Sequence, residues 1–494
     1  MAKSLTSQNG APIADDQNSL TAGARGGVML QDWHLIEKLA HFNRERIPER
    51  VVHAKGTGAY GIFTLTKDLS EFTLADHFCG VGKQTEIFVR FSTVGGEMGS
   101  ADAERDPRGF GLRFYTKNGN HDVVGNNTPV FFLRDGIKFP DFIHTQKRNP
   151  KTNLKDPQAM WDFWSLNPEA MHQVTVLMSE RGIPATYRHM NGYGSHTFSL
   201  WNAKGERFWI KYHFKTKQGI KNLSNAQAET IKGIDPDHAQ RDLMAAISDG
   251  QFPKWAVKLQ IMPEADAKTY RINPFDLTKV WPHKDYPLIE IGEFELNRIP
   301  ENYFNEVEQA ALSPANLVPG VGASPCKMLQ ARLFSYADAH RYRVGTNYNQ
   351  LPVNCPHATE ANHYQRGGSM AGTGCVFHGT TPDNRGGVNY GPNTEQGPVQ
   401  QHQFIEPPMD IEGFMGRYDK TQEEDYAQAG DLFRMMSAEQ QQALFETIAG
   451  TLSQTTDAVQ QRMLAHFEQC DPAYGKGIRT AINAVKEAMA IVQQ

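Results

Sequence analysis

Between residues 58 and 298 apolar side chains recur at alternate positions in short runs, at 59–66, 85–94, 110–116, 128–134, 196–202, 207–216, 255–262 and 288–297. Period two is the mark of strands with one buried face. In 207–216 it is plain: Phe208, Ile210, Tyr212 and Phe214 share one face, and Lys211, His213 and Lys215 the other. Many antiparallel strands of this kind predict a closed barrel or a sandwich. Helical patterns interrupt them at about 157–181 and 238–249. Past residue 415 the period becomes helical: Ser437 and Gln440 form a capping box ahead of Ala443-Leu444-Phe445, and amphipathic runs follow at 457–470 and 477–492. The first 50 residues are polar and read as an arm, while 344–412 is rich in Gly, Asn and Pro and has little periodicity.

One more helix carries chemistry. Ser324 and Pro325 read as its N-cap and first residue, and Gly345 as its stop. Within it Arg332, Tyr336, His340 and Arg343 fall in a stripe roughly 80° wide at ~100° per residue. Arg332 lies one turn before Tyr336 and can reach its phenol oxygen. A free tyrosine has a pKa of ~10, which a neighbouring guanidinium lowers. Taken singly, each of these residues would read as part of a charged surface helix.

The chain has 494 residues and a formal charge of -5, with no basic block, which gives no reason to expect nucleic acid binding. No stretch is long and apolar enough to span a bilayer, and the N-terminus lacks the apolar core of a secretory signal, so a soluble, cytoplasmic protein is expected. The C-terminal Met489-Ala490-Ile491-Val492-Gln493-Gln494 does not match the S-K-L type of peroxisomal address. Cys79, Cys326, Cys355, Cys375 and Cys470 are few, odd in number and widely spaced, which predicts reduced thiols.

The stretch Arg332-Leu333-Phe334-Ser335-Tyr336-Ala337-Asp338-Ala339-His340 resembles the proximal haem-ligand motif of the monofunctional haem catalases, R-x-F-x-Y-x-D-x-H. Tyrosine is the known haem ligand of that family. Upstream, the segment from Phe42 to Gly58 resembles the distal signature F-x-R-x4-E-R-x2-H-x2-G; Gly125-Asn126-Asn127-Thr128-Pro129-Val130-Phe131-Phe132 resembles the distal asparagine loop, and Arg105-Asp106-Pro107-Arg108-Gly109-Phe110 a further family segment. The likeness runs from about residue 25 to the C-terminus. It implies an α+β haem catalase fold: an N-terminal arm (1–53), an eight-stranded antiparallel β-barrel with helical insertions (54–298), a long wrapping segment with the proximal helix (299–414) and a C-terminal helical domain (415–494). The absence of a further C-terminal domain resembles the small-subunit group.

The resemblance implies disproportionation of hydrogen peroxide to water and oxygen, with a haem peroxidase that needs an electron donor as the alternative. His53 would shuttle the proton, as an imidazole titrating near neutrality can. Asn126 would hydrogen-bond peroxide and Ser92 would orient His53. Tyr336 would be the axial ligand of haem b, held deprotonated by Arg332, with Arg50, Arg90 and Arg343 on the propionates. Val52, Phe131, Phe132, Phe139 and His340 would line the haem pocket, and Val94 and Asp106 the access channel. His172, Ser179, Arg181, Asn191, Tyr193, Lys215, Val280, Trp281 and His283 match much of an NADPH surface, with Val176 where a larger aromatic is expected. A homotetramer with interlaced arms is implied. The chain departs from the family at Ser324-Pro325-Cys326-Lys327, where S-P-D-K is expected. The missing aspartate belongs to a relay with a histidine, matched by His196, and with Arg332. Its loss predicts a less firmly fixed phenolate.

Overall fold

The computed structural model describes residues 3–372, 374–378, 386–419 and 423–492. Met1–Glu49 and Arg50–Gln494 form two compact units. The first contains helix α1, Trp33–Phe42, capped by the Asp32 carboxylate, which accepts from Leu35 N–H. Trp33, Ile36, Leu39 and Phe42 on α1 are all exposed.

Among the described residues the second unit is built around ten strands: β1 Gly56–Leu65, β2 Gln84–Ser92, β3 Gly109–Thr116, β4 Gly119–Asn126, β5 Gly192–Tyr193, β6 Phe198–Trp201, β7 Arg207–Thr216, β8 Lys254–Pro263, β9 Ile289–Arg298 and β10 Val321–Gly322. Their order is β10-β6-β7-β5-β4-β3-β2-β1-β9-β8, and β7 pairs again with β8, which closes a barrel of β1 to β5 and β7 to β9. The pairings are antiparallel. Alternation decides which face is inside: Phe63, Phe91, Phe110, Phe114, Tyr212 and Phe214 are buried in one core, where Phe110 stacks on Phe214 at 5.3 Å. The expected run 207–216 is β7, and its apolar face is the inner one.

One expected strand is not a strand. Residues 128–134 form an irregular segment, and the strand beside β3 is the earlier β4. Pro129 has no N–H for a ladder, and neighbouring N–H groups go to unrelated partners, Asn127 to Arg108 O at 2.8 Å and Phe131 to Leu277 O at 3.2 Å. Strand β4 escapes sequence reading because its polar residues are satisfied only by the fold. Asp122 pairs with Arg113 at 2.7 Å, both almost fully buried, and His121 Nδ1 lies 2.9 Å from His77 Nε2.

The insertions are α2 Phe139–Gln146, α3 Pro157–Leu166, α4 Met171–Met178, α5 Asn225–Ile234 and α6 His238–Ser248. The expected helix at 157–181 is thus two helices joined by a 3-10 turn at Pro168–Ala170. Helix α7, Lys327–Arg343, starts later than expected, with Cys326 rather than Ser324 at the N-cap. Ser324 is turned inward, its hydroxyl donating to Thr197 O at 2.5 Å. Gly345 then adopts φ +119° at the stop. The C-terminal helices are α8 Ala427–Arg434, α9 Ala438–Leu452, α10 Asp457–Cys470 and α11 Pro472–Val492. The Ser437 and Gln440 capping box is present. Contrary to the expectation of reduced thiols, Cys355 and Cys375 are joined, with Cα atoms 5.6 Å apart. The chain between them folds back on itself, which an aperiodic segment does not announce. Among the described residues, no helix is long and apolar enough to cross a membrane.

Buried histidines carry a pH consequence. Burial holds His53 and His213 down to about 3 and His121, His172 and His340 to about 4. Above pH ~6.5 both folded and unfolded chains keep these rings neutral, so they give no pH dependence. Below it the unfolded chain binds protons that the folded chain refuses, until the folded values are reached. Stability should fall by up to about 1.4 kcal/mol per histidine per pH unit between pH ~6.5 and ~4. Urea midpoints measured across that range check this, and an unchanged midpoint would contradict it.

Candidate active site

The strand register puts Gly56, Ser92, Gly109 and Asn126 side by side on β1 to β4. Directly opposed residues share a face, here the outer one, because the alternate residues Phe91 and Phe110 enter the core. His53 precedes β1 with φ +66°, a left-handed backbone that is uncommon outside glycine. Its N–H donates to Val94 O at 3.1 Å, and its ring Nδ1 lies 2.9 Å from Ser92 Oγ. The sequence gives no hint of the part Gly109 plays. A Cβ there would lie 2.3 Å from Ser92 Oγ and 2.6 Å from His53 Nδ1, so the ring can occupy this place only over a glycine. Asn126 Nδ2 donates to Arg108 O at 3.3 Å, and its second amide hydrogen remains for another acceptor. Burial, then Arg90, Arg332 and Arg50, push His53 to about 3, which keeps the ring neutral at working pH.

The expected stripe on α7 exists. Arg332 Nη2 donates to Tyr336 Oη at 2.7 Å and to Val124 O at 2.8 Å, and the guanidinium carbon lies 4.9 Å from the Tyr336 ring centroid. His340 Nε2–H donates to Leu312 O at 2.7 Å, and Arg343 Nη2 bonds to Glu308 Oε1 at 2.9 Å. Phe334 and Tyr342, on other faces of α7, are exposed.

Arg90 and Arg343 are buried, and Arg50 half-buried, close enough to act on one another. Burial, then Arg90 and Arg343, hold Arg50 well below the usual arginine value. Glu308 lies 3.5 Å from Arg50 and 2.9 Å from Arg343. Arg90 Nη2 donates to Ala54 O at 3.3 Å, and its Nε is buried without a partner. Guanidinium groups crowded out of water against one another call for further negative charge. The two propionates of a haem would supply it, so the residues present fit that group. Glu308 was missed in sequence reading, because an acidic residue in an aperiodic stretch carries no signal.

The other expected residues separate into groups. Phe131 and Phe139 are half-buried, with ring centroids 6.2 Å apart, and Val52 is half-buried nearby in sequence to His53. Phe132 is turned into the helical core, 4.6 Å from Phe142 and stacked on Trp164 at 5.7 Å. The Asp106 carboxylate accepts from Val94 N–H at 2.5 Å and Gly95 N–H at 2.6 Å, and burial raises its pKa.

Across β5 and β7 the same row continues to Tyr193 and His213. Lys215 Nζ lies 3.2 Å from Tyr193 Oη, and His283 packs 5.8 Å from His213. Asn191 Oδ1 accepts from Thr216 N–H at 3.0 Å, His172 Nδ1 donates to Thr278 O at 3.2 Å, and Trp281 is buried. Ser179 caps the 3-10 turn that contains Arg181. Gln428 of α8, absent from the sequence reading, bonds both ways to the Val280 backbone at 2.9 and 3.0 Å.

Comparison with known proteins follows the same outline. The family model described as Catalase matches residues 6–397, and that of Catalase-related immune-responsive matches 419–482. The chain is 60% identical to the catalase of the Onchocerca volvulus endobacterium over 97% of this chain and 98% of the relative. It is 60% identical to catalase A of Pseudomonas putida over the same shares. A crystal structure of a fungal catalase superposes with a TM-score of 0.92 at 44% identity, covering 97% of each chain.

Gly109→Ala should displace the His53 ring and lower peroxide turnover at least ~10-fold with the far-UV circular dichroism unchanged, since the new Cβ would lie 2.6 Å from His53 Nδ1 and 2.3 Å from the Ser92 Oγ that holds it. Full activity in this variant would show that the ring has room to move.

Proposed function

The chain belongs to the catalase family and is a haem catalase that disproportionates hydrogen peroxide, and from that premise we propose that His53 and Asn126 are its catalytic residues and Tyr336 its axial ligand. The observation that carries the assignment is the row that sets His53 on Ser92 beside Asn126. Haem b, when bound, would supply a ferric iron that exchanges two electrons with peroxide. One tyrosine cannot hold a metal alone, and among the described residues no cluster of three or more His, Cys, Asp or Glu could do so. A macrocycle bringing its own nitrogens meets that need.

In the first half-reaction Asn126 donates its second amide hydrogen to peroxide. Neutral His53, with Nδ1–H on Ser92 Oγ and a free Nε2, takes the proton from one peroxide oxygen and returns it to the other. That oxygen departs as water. In the second, a further peroxide passes two electrons and its two protons, one of them carried by His53, to the oxygen atom left from the first and leaves as dioxygen, so two peroxides yield two waters and one oxygen. Arg332 donates to Tyr336 Oη at 2.7 Å, a charge-assisted bond that would hold this oxygen in place as an iron ligand. Arg50, Arg90 and Arg343 would hold the propionates of a bound haem. Phe131 and Phe139 narrow the pocket, Phe132 backs them from the core, and Val94 and Asp106 stand at the channel.

NADPH would bind on the surface formed by Arg181, Tyr193, Lys215 and His283, where cations meet an aromatic ring. The segments 1–53, 54–298, 299–414 and 415–494 would act as arm, barrel, wrapping segment and helical domain of a cytoplasmic homotetramer of the small-subunit group. Support for assembly lies in the exposed apolar side chains of α1 and of Val399, Ile405, Ile411 and Phe414.

Haem-loaded protein should release about one oxygen per two peroxides with no added electron donor. His53→Ala should lower the rate ~100-fold or more while haem stays bound, and Tyr336→Phe should lose haem or its ferric spectrum. Oxygen release that survives His53→Ala would remove that residue from the chemistry. For the second ligand, NADPH fluorescence titration should give binding that Lys215→Glu weakens at least ~10-fold, and equal binding would exclude the surface.

A further inference from the structure

A chain of hydrogen bonds runs from Tyr336 to a buried sulfur for which the mechanism has no use. Arg332 Nη2 donates to Tyr336 Oη at 2.7 Å, Arg332 Nη1 lies 2.7 Å from His196 Nε2, and His196 Nδ1 lies 3.3 Å from Cys326 Sγ. Proton positions along it follow from chemistry. A guanidinium only donates, so Nε2 of His196 accepts. Burial, then Arg332 and Lys211, hold His196 well below the usual histidine value, so the ring is neutral and its single hydrogen sits on Nδ1, toward sulfur.

Cys326 is 1% exposed and is the N-cap of α7. Burial raises its thiol, and its sulfur accepts as a neutral atom. The charged groups facing it are Lys211, whose Nζ donates to Ser195 O at 2.9 Å, and Asp276. Among the three groups behind the phenol oxygen, Arg332, His196 and Cys326, Arg332 is then the single charged one, and its charge faces that oxygen.

We infer that Cys326 is a positioning residue for Tyr336: its sulfur holds His196 in the tautomer that receives Arg332, and so keeps the guanidinium on the phenol oxygen. The inference rests on the reading of Tyr336 as axial ligand. The sequence departure at this position suggested a loosened phenolate, whereas the geometry has sulfur filling the acceptor place. Without an acceptor at position 326, a buried Nδ1–H would lose its partner. The ring would relieve this by moving its hydrogen to Nε2, where it confronts an Arg332 donor and drives the guanidinium off Tyr336. Two arrangements would then be populated in place of one.

The test is electron paramagnetic resonance of the haem-loaded ferric protein, which reports the symmetry at iron and is insensitive to a general loss of stability. Wild type should show one high-spin species, Cys326→Ala two, and Cys326→Ser, which restores an acceptor, one again. Cys326→Val fills the volume but accepts nothing, and replaces Ala if that variant does not fold. Tyr336→Phe separates the two levels of the argument. If it leaves the ferric signal unaltered, the axial assignment fails and the inference falls with it. If it alters the signal while Cys326→Ala and Cys326→Val both give the single wild-type species, the axial reading stands and Cys326 has no positioning role.

Discussion

The register between β1, β2, β3 and β4 is the constraint on which the site depends. Opposed pairs Gly56 with Ser92, Ser92 with Gly109, and Gly109 with Asn126 put serine, glycine and asparagine in one row on the outer face. A slip of one residue would send each of them into the barrel and bring phenylalanines out. The aromatic interior prevents that, because Phe91, Phe110 and Phe214 interlock with ring centroids 5.1 and 5.3 Å apart and have no comparable place on the polar face. Closure through β7 and β8 removes the free edges at which slippage would begin.

Electrostatics then follows from where the barrel face meets α7. Arg90 comes from β2, Arg332 and Arg343 from α7, and Arg50 from the segment before β1. Burial, then Arg90, Arg332 and Arg50, hold His53 well below the usual histidine value, while Arg332 donates to the Tyr336 oxygen. One charge distribution thus serves both the proposed base and the proposed ligand. It has a cost in the folded chain, which Glu308 and the carbonyls of Val307, Glu308 and Ala310 offset in part by accepting from Arg50. The cluster is therefore suited to an anionic group more than to an empty interior.

Much of the fold was readable wherever a local pattern coincides with the tertiary one. Strand β7 alternates because one of its faces is core, and the Ser437 capping box closes reciprocally because both partners lie within one turn. Reading failed where long-range partners decide. Residues 128–134 have the composition of a strand yet no ladder, and β4 has the composition of a turn yet holds the barrel through Arg113 and the His77 ring. The start of α7 shifted to Cys326 because the Ser324 hydroxyl found a carbonyl in Thr197, and the pairing of Cys355 with Cys375 depended on a fold-back that carries no period.

The same division runs through the site. By itself the sequence determined family membership, the helical stripe of Arg332, Tyr336, His340 and Arg343, and the residue types of the pocket, because these are set by local spacing along one helix or by motifs written in order. Only the tertiary structure decided that Gly109 must lack a side chain beneath His53, that Glu308 faces Arg50 and Arg343, and that Cys326 ends a chain of bonds through His196. Those relations join residues tens to hundreds of positions apart. They exist only once the closed barrel has brought its outer face against α7, since distance and direction between side chains, unlike their identities, belong to packing.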